Sequence, residues 1–438
     1  MKLTYVLLVL MTIAGEVSAD TLNLQQALDL AYARNPDLQA AAERIGQAEA
    51  QVSEALAAFY PKLTGRVGYG YSNDPAVAFS SIISQRRFNQ SHFDNINQPG
   101  FTGNFRPELV GTLSLFRGGT DYYRQKAAEL GVEVAELERS GFRNRLAAAV
   151  SAAFYAALAA PQQLQAALRS EEAVESELKH ARIAHEVGTL LKSDVLSLEV
   201  RQAQAKEAEL RARNAVDLTR SGLKTLLGLG AADTLEILDG GDATPAASGE
   251  LPALIEQALA QRPEMLASAQ QVEIRTRELR AEQGGHLTRV NAYAAYGLNE
   301  RSPEFDFQRD NLTLAVNAEV DLFAGGATSA RIEGARRRLA ESQALREGTR
   351  LEIEDEVQKA FATRREAEAR QTVAEAASAA ATEAFRLVQE QYRQGTATVT
   401  RYLEAEADRT QAETHAVLAR FETRTAQANL HKAIGYWK

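Results

Sequence analysis

Four stretches of the chain alternate apolar and polar residues. Leu63, Gly65, Val67, Tyr69 and Tyr71 interleave with Thr64, Arg66, Gly68 and Gly70, and Phe105, Leu109, Leu113 and Leu115 stand against Arg106, Glu108, Thr112 and Ser114. Further on, Val290, Ala292, Ala294, Tyr296 and Leu298 oppose Arg289, Asn291 and Tyr293. Leu312, Leu314, Val316, Ala318, Val320 and Leu322 alternate with Thr313, Ala315, Asn317, Glu319 and Asp321. Period two over about ten residues predicts strands with one apolar and one polar face, at about 62–73, 105–116, 287–298 and 312–323. In a water-soluble protein such strands would form a sheet half buried against helices. Their length, however, is that of tilted membrane strands, and tyrosines lie in them or at their ends. Four strands cannot close a barrel and lipid tolerates no open edge, so a membrane placement requires several copies of the chain.

The rest is rich in Ala, Glu, Gln, Arg and Leu, the composition of long helices. From about Gly119 to His185 and from about Gly326 to Arg393, the only Gly or Pro within are Gly131, Gly141, Pro161, Gly334 and Gly348. An unbroken helix of roughly 65 residues would be about 100 Å long, which points to coiled-coil packing. Many core candidates are small, as in Leu146-Ala147-Ala148-Ala149-Val150, so a hollow helical tube fits better than a solid bundle. Gly188-Thr189 and Gly395-Thr396 mark hairpin turns, where glycine supplies a left-handed residue and Thr or Ser can cap the returning helix. The return helices stop at Gly228 and Gly435.

These features occur twice. Leu115-Phe116-Arg117-Gly118-Gly119 returns as Leu322-Phe323-Ala324-Gly325-Gly326, and positions 116 and 323, 188 and 395, 228 and 435 all stand 207 apart. A constant spacing across separated motifs indicates an internal duplication. Asn35-Pro36-Asp37-Leu38 and Arg262-Pro263-Glu264-Met265 stand 227 apart, so the first copy carries 20 more residues. The surplus falls between Asn73 and Gly103, where Asp74-Pro75 and Pro99-Gly100 read as loop. The expected organisation is a first repeat at 20–230, a linker at 231–251 and a second repeat at 252–438.

Residues 1–19 read as a signal peptide: Lys2, an apolar run to Ala14, then Val17-Ser18-Ala19. A net charge of −9 gives no broad basic face for nucleic acid. With no cysteine, disulfides, thiolate metal sites and N-terminal lipidation are excluded. His180 and His185 do not share a helix face as metal ligands would. Gly118-Gly119 and Gly325-Gly326 lack the Lys-Ser/Thr of a phosphate loop and read as strand-to-helix bends. The acidic run Glu352, Glu354, Asp355, Glu356 reads as a water-facing helix surface. No nucleophile, base and orienting acid occur as a set, so no enzyme and no cofactor are expected.

Ala27-Leu28, Asn35-Pro36, the strand pairs closed by Leu-Phe-x-Gly-Gly and the Gly-Thr tips, doubled in one order, resemble the TolC-like family of bacterial outer-membrane efflux proteins. The resemblance covers nearly the whole chain after residue 20. It implies a mainly α fold with membrane β: helical hairpins forming a periplasmic α-barrel, and a homotrimer whose four strands per chain make a 12-stranded β-barrel in outer-membrane lipid. It implies a passive exit duct docking on a periplasmic adaptor (membrane fusion) protein and an inner-membrane transporter of the resistance-nodulation-division or ABC type. By the resemblance, Val187, Gly188, Thr189, Leu190, Ser193, Gly395, Thr396 and Thr398 form the docking tips. Asp194, Tyr392, Arg401 and Glu404 match the aperture, with a Tyr392 hydroxyl to Asp194 carboxylate bond expected. Arg401 falls where many relatives present an acid, and pairs with Glu404 or Asp194 or changes the selectivity of the constriction. The competing reading is a periplasmic coiled-coil adaptor or scaffold, which would share long helices but normally holds one hairpin.

Overall fold

The computed structural model describes residues 21–240 and 249–437. The expected signal peptide and the middle of the expected linker lie outside the described residues. In chain order the elements are α1 (Leu24–Arg34), α2 (Pro36–Leu56), β1 (Lys62–Ser72), α3 (Pro75–Ser84), β2 (Thr102–Arg117), α4 (Thr120–Glu186), α5 (Lys192–Leu226), α6 (Leu251–Gln261), α7 (Pro263–Gln283), β3 (Arg289–Leu298), β4 (Asp310–Glu319), α8 (Ala327–Arg393) and α9 (Val399–Ala433).

The duplication is reproduced helix by helix. α1 and α6 have 11 residues each, α2 and α7 21, α4 and α8 67, α5 and α9 35. Four glycine pairs 207 apart share one backbone state: φ is 64° and 60° at Gly118 and Gly325, 80° and 82° at Gly119 and Gly326, 81° and 76° at Gly188 and Gly395, and 69° and 72° at Gly228 and Gly435. Side chains rarely adopt this left-handed region, so sequence and backbone repeat together. α4 runs unbroken through Pro161, although a proline there removes one helical donor.

The chain divides into two compact units. One holds residues 41–138 and 264–350. Its centre is one antiparallel sheet in the order β1-β2-β3-β4. The registers Leu63↔Gly111, Leu109↔Tyr296, Ala294↔Leu314 and Tyr296↔Leu312 put the apolar positions on one face. Leu63, Val67, Tyr69, Leu109, Leu312, Leu314 and Val316 on that face are exposed. The other face carries Arg66 and Arg106, both paired to Glu108, at 3.7 and 3.0 Å. β1 and β4 are open edges.

Two expectations are corrected here. β4 ends at Glu319 instead of about 323, because its partner β3 begins at Arg289, opposite Glu319, and offers nothing further to pair with. Leu322 and Phe323 are left 93% and 89% exposed. The segment read as loop between 73 and 103 contains α3. Asp74 caps it by accepting from the Val77 N–H at 3.1 Å, and Pro75 fits the first turn. The polar composition around it masked an Asp-Pro helix start.

The other unit holds the residues up to Ala40, Arg139–Pro263 and Leu351 onward. Its core joins Leu24, Ala27, Leu28 and Ala31 of α1 to Leu146, Ala147, Val150, Phe154 and Ala157 of α4, with Leu223 of α5 and Phe421 of α9. The helical spacing of these positions makes one stripe per helix, and burial of the large members contributes about 1.5–3 kcal/mol each. The start of the expected linker docks here: Leu235 joins the core, and Leu22 bridges Ile237 in parallel.

The residue before each helix-opening proline has a specific task. Asn35 Nδ2 donates to the Leu226 carbonyl at 3.0 Å and its Oδ1 accepts from the Leu38 N–H at 3.1 Å, so one side chain closes the end of α5 and opens α2. Arg262 reaches the matching Ala433 carbonyl at 3.5 Å and also pairs with Glu356, which Lys432 approaches at 2.9 Å. Burial would raise the Glu356 carboxyl, but Arg262 and Lys432 hold it below the usual carboxylate value. This member of the expected water-facing acidic run is therefore half-buried and structural.

Candidate functional site

The two hairpin tips lie in the same unit. At the first, the Gly188 N–H donates to the His185 carbonyl at 2.9 Å and the Thr189 N–H to the Ala184 carbonyl at 2.8 Å. At the second, Gly395 donates to Tyr392 at 2.9 Å and Thr396 to Gln391 at 2.9 Å. This pair of bonds around a left-handed glycine is the Schellman closure of a helix. Thr189 and Thr396 add their hydroxyls to the same carbonyls, Ala184 and Gln391, both at 2.9 Å. These threonines finish the outgoing helices.

Only the second return helix has a side-chain cap, Thr398 accepting from the Arg401 N–H at 3.2 Å. Ser193, one of the expected docking-tip residues, lies inside α5, whose N-cap is Leu191. The first tip is instead braced by the His185 imidazole, which donates to the Leu190 carbonyl at 2.9 Å. The tips differ at the surface. Val187 and Leu191 are 71% and 69% exposed, whereas Gln394, Thr396 and Thr398 present polar atoms.

Behind the tips, Leu178, Ala181, Val195, Leu198 and Val399 pack together, with Leu190 and Tyr392 against them. Tyr392 and Tyr402 have ring centroids 5.1 Å apart, and Phe385 lies 5.6 Å from Tyr402. Of the four expected aperture residues, the structure pairs Arg401 with Glu404 at 3.4 Å, both exposed. Of the acids that act on the Tyr392 hydroxyl, Glu177 of α4 comes ahead of Asp194. Burial raises the Tyr392 pKa first, the Glu177 carboxylate next, and Asp194 contributes less. Glu177 was missed because no local signal marks it; its role depends on α4 meeting α8.

Tyr402, 1% exposed, was also missed. Burial pushes its hydroxyl up to about 12, with Glu177 and Glu406 adding to the effect. The folded value lies above the ordinary value of about 10, so its stabilising contribution is complete below about pH 10 and is lost as pH climbs through about 12. Thermal melts between these limits should fall more steeply for the parent than for Tyr402→Phe. Equal slopes would remove Tyr402 from the alkaline sensitivity.

Next to these tyrosines, Glu406 of α9 is 0% exposed. It accepts from Ser170 of α4 at 2.6 Å, from Arg201 of α5 at 2.7 and 3.1 Å, and from Thr410 at 2.9 Å. One carboxylate thus ties three helices together. Its counterpart 207 residues earlier, Glu199, is only partly buried and pairs with Arg182 at 3.0 Å.

Among the described residues no group of three or more His, Asp or Glu could hold a metal ion, and no helix is long and apolar enough to cross a membrane.

Comparison with known proteins agrees with this geometry. The sequence profile of the family described as outer membrane efflux protein matches residues 27–229 and again 254–436. The chain belongs to this family. Alkaline protease secretion protein AprF of Pseudomonas aeruginosa is 25% identical over 262 residues, 57% of this chain and 54% of that protein. Protein CyaE of Bordetella pertussis is 25% identical over 356 residues, 80% of this chain and 70% of that protein. The match to AprF thus spans about half of that protein's length. The fold matches the crystal structure of the Campylobacter jejuni CmeC outer membrane channel with a TM-score of 0.81 at 16% identity, covering 94% of this chain and 85% of that one. Family membership and two strand pairs in one chain set aside the adaptor reading.

Proposed function

We propose that the chain is one subunit of a passive trimeric exit duct, spanning the outer membrane and receiving cargo from an inner-membrane transporter through a periplasmic adaptor. The observation that carries this reading is the sheet. One face is apolar and open, the other is polar, and both edges lack partners, which suits a segment of barrel wall with lipid on one side and water on the other. The family is a transport family and not an enzyme family, and no cofactor enters the reading.

The duplication specifies how copies would join. β2 pairs β3 with Leu109 opposite Tyr296 and Thr112 opposite Tyr293. Carrying β2 forward 207 residues to β4 and β3 back 227 to β1 puts Val316 opposite Tyr69 and Glu319 opposite Arg66 across a subunit seam. Glu319 and Arg66 are of opposite charge, as facing cross-strand residues prefer. The same register gives the exposed Phe323 a partner in Leu63. Because the protein has no cysteine, Val316→Cys with Tyr69→Cys is a clean probe. Oxidation in outer membranes should give covalent dimers and trimers, and Val316→Cys with Val67→Cys much less. Monomer alone from the first pair would sink the seam and the trimer with it.

We assign docking to the tips, with Val187 and Leu191 as the apolar contacts and Gly188, Thr189, Leu190, Ser193, Gly395, Thr396 and Thr398 shaping the surface. A Cβ at Gly188 or Gly395 would meet open space within the chain. Gly188→Glu or Gly395→Glu is therefore expected to leave the trimer formed, at a cost of about 1–2 kcal/mol of backbone strain, and to reduce export at least about tenfold. Export at the parental rate would remove the tips from docking. Asp194, Tyr392, Arg401 and Glu404 are proposed to set the aperture together with Glu177. Single-channel conductance of Arg401→Asp equal to the parent would exclude Arg401.

A further inference from the structure

The 20 residues that the first copy carries beyond the second build a cavity at the end of the sheet where β1 turns into β2. α3 packs on β2, burying Ala78, Ser81 and Ile82. Two adjacent side chains pin the segment that follows. Gln85, fully buried, donates to the Gly103 carbonyl at 2.8 Å and to Asn104 Oδ1 at 3.0 Å. Arg86, at a φ of 54°, reaches the Asp310 carbonyl at 3.0 Å and its carboxylate at 3.2 Å. Between these anchors and the connection from β3 to β4 lies a cavity of about 300 Å³.

Its lining is chemically uneven. Phe79, Ile82 and Phe101 make an apolar side, while Arg87, Arg301 and His92 bring cationic or donor groups. Ser91 is also present, and among the described residues none in the lining is acidic. Arg87 spends one nitrogen on Gln85 Oε1 at 3.0 Å, which orients it without neutralising it. Arg301 has no carboxylate partner among the described residues. Two guanidiniums sharing a cavity without a counter-charge repel each other, so an anion would offset a cost already built into the fold. Beside the cavity, Phe88, Phe93 and Ile96 are exposed apolar side chains on the same segment.

We propose that this cavity binds the phosphate of a membrane amphiphile, with Arg87 and Arg301 as the phosphate clamp. Donors arriving from several elements suit a tetrahedral phosphate better than a planar carboxylate, and arginine is the side chain that meets such oxygens two at a time. The exposed phenylalanines fit an amphiphile better than free phosphate, because they would cover acyl or sugar surface beside the headgroup. The choice of lipid rests on the outer-membrane placement proposed above, whereas the anion clamp does not.

The test uses the full-length protein purified in detergent, with lipid A, its dephosphorylated form and inorganic phosphate as probes, read as bound adducts by native mass spectrometry. Lipid A is expected to bind, its dephosphorylated form at least about tenfold more weakly, and Arg87→Ala with Arg301→Ala to lose about tenfold or more. Arg301→Gln alone, at an exposed residue, guards against misfolding and should also weaken binding while leaving export unchanged. Equal binding of the two lipids, or no loss in either variant, would overturn the clamp. Displacement of lipid A by an equal concentration of inorganic phosphate would overturn the lipid assignment. Loss of seam crosslinking would overturn the duct reading instead.

Discussion

Gly118→Ala is expected to prevent native packing at the strand-to-helix bend, whereas Gly325→Ala, at the matching position of the second copy, should cost only about 1–2 kcal/mol. Both residues sit in left-handed backbone, at φ 64° and 60°, and a Cβ there carries the same local strain of about 1–2 kcal/mol. The surroundings separate them. A Cβ on Gly118 would lie 2.1 Å from the Gly284 carbonyl oxygen, and one on Gly284 would lie 2.4 Å from the Gly118 carbonyl oxygen. These are backbone atoms, so relief requires the two chain segments to part. Thr120, whose hydroxyl donates to the Ala281 carbonyl at 2.8 Å, would move with them. Within one chain nothing lies within 4 Å of a Cβ on Gly325, so only a neighbouring subunit could crowd it. Heat-resistance of the purified proteins on gels measures the difference. Equal losses would mean that the close approach of the two glycine segments does not bear on stability.

That pair shows which parts of the fold could be read from the sequence. The glycine bends, Schellman tips and strand alternation are local, each decided by a few neighbouring residues, and the constant spacing of 207 reinforced them. The strand ends were less legible: β4 stops where β3 has no residue to offer, a fact of pairing and not of the β4 sequence. α3 was hidden because its short apolar run sits among Asn, Ser and Gln, although Asp74-Pro75 announced it. At the candidate site, the tips were legible from Gly-Thr. The influence of Glu177 on Tyr392 was not, because it depends on how α4, α5 and α8 pack. Arg401 and Glu404, three apart on one helix, needed no tertiary information.

The largest effect outside the glycines is expected at Glu406, which the sequence offered only as one more charge on a helix. Its carboxylate is 0% exposed and holds Arg201, Ser170 and Thr410. Glu406→Ala leaves the Arg201 guanidinium, 22% exposed, without its partner, and removing one member of a buried pair costs about 3–5 kcal/mol. Arg201→Ala should cost at least as much, since the stranded charge would then be the fully buried one. The double variant Arg201→Met with Glu406→Leu removes both charges and fills the space, so it should recover most of the stability. Ser170 and Thr410 limit the recovery, because their hydroxyls lose an acceptor; each can still use the helix carbonyl four residues earlier. Chemical denaturation of the parent, Arg201→Met, Glu406→Leu and the double variant, taken as a cycle, gives the coupling directly. If the double variant loses as much stability as the two single variants added together, the pair is not coupled and the helices are held by apolar packing alone. A strong coupling has a functional consequence. Glu406 joins α9 of the second hairpin to α4 and α5 of the first, close behind Tyr402 and Tyr392. If the proposed duct opens by movement of its tips, that movement must either carry this bond as a rigid pivot or break it. Export by the repacked double variant decides between them: activity near the parental level fits a pivot that apolar packing can replace, and loss of export with restored stability fits a bond that has to open.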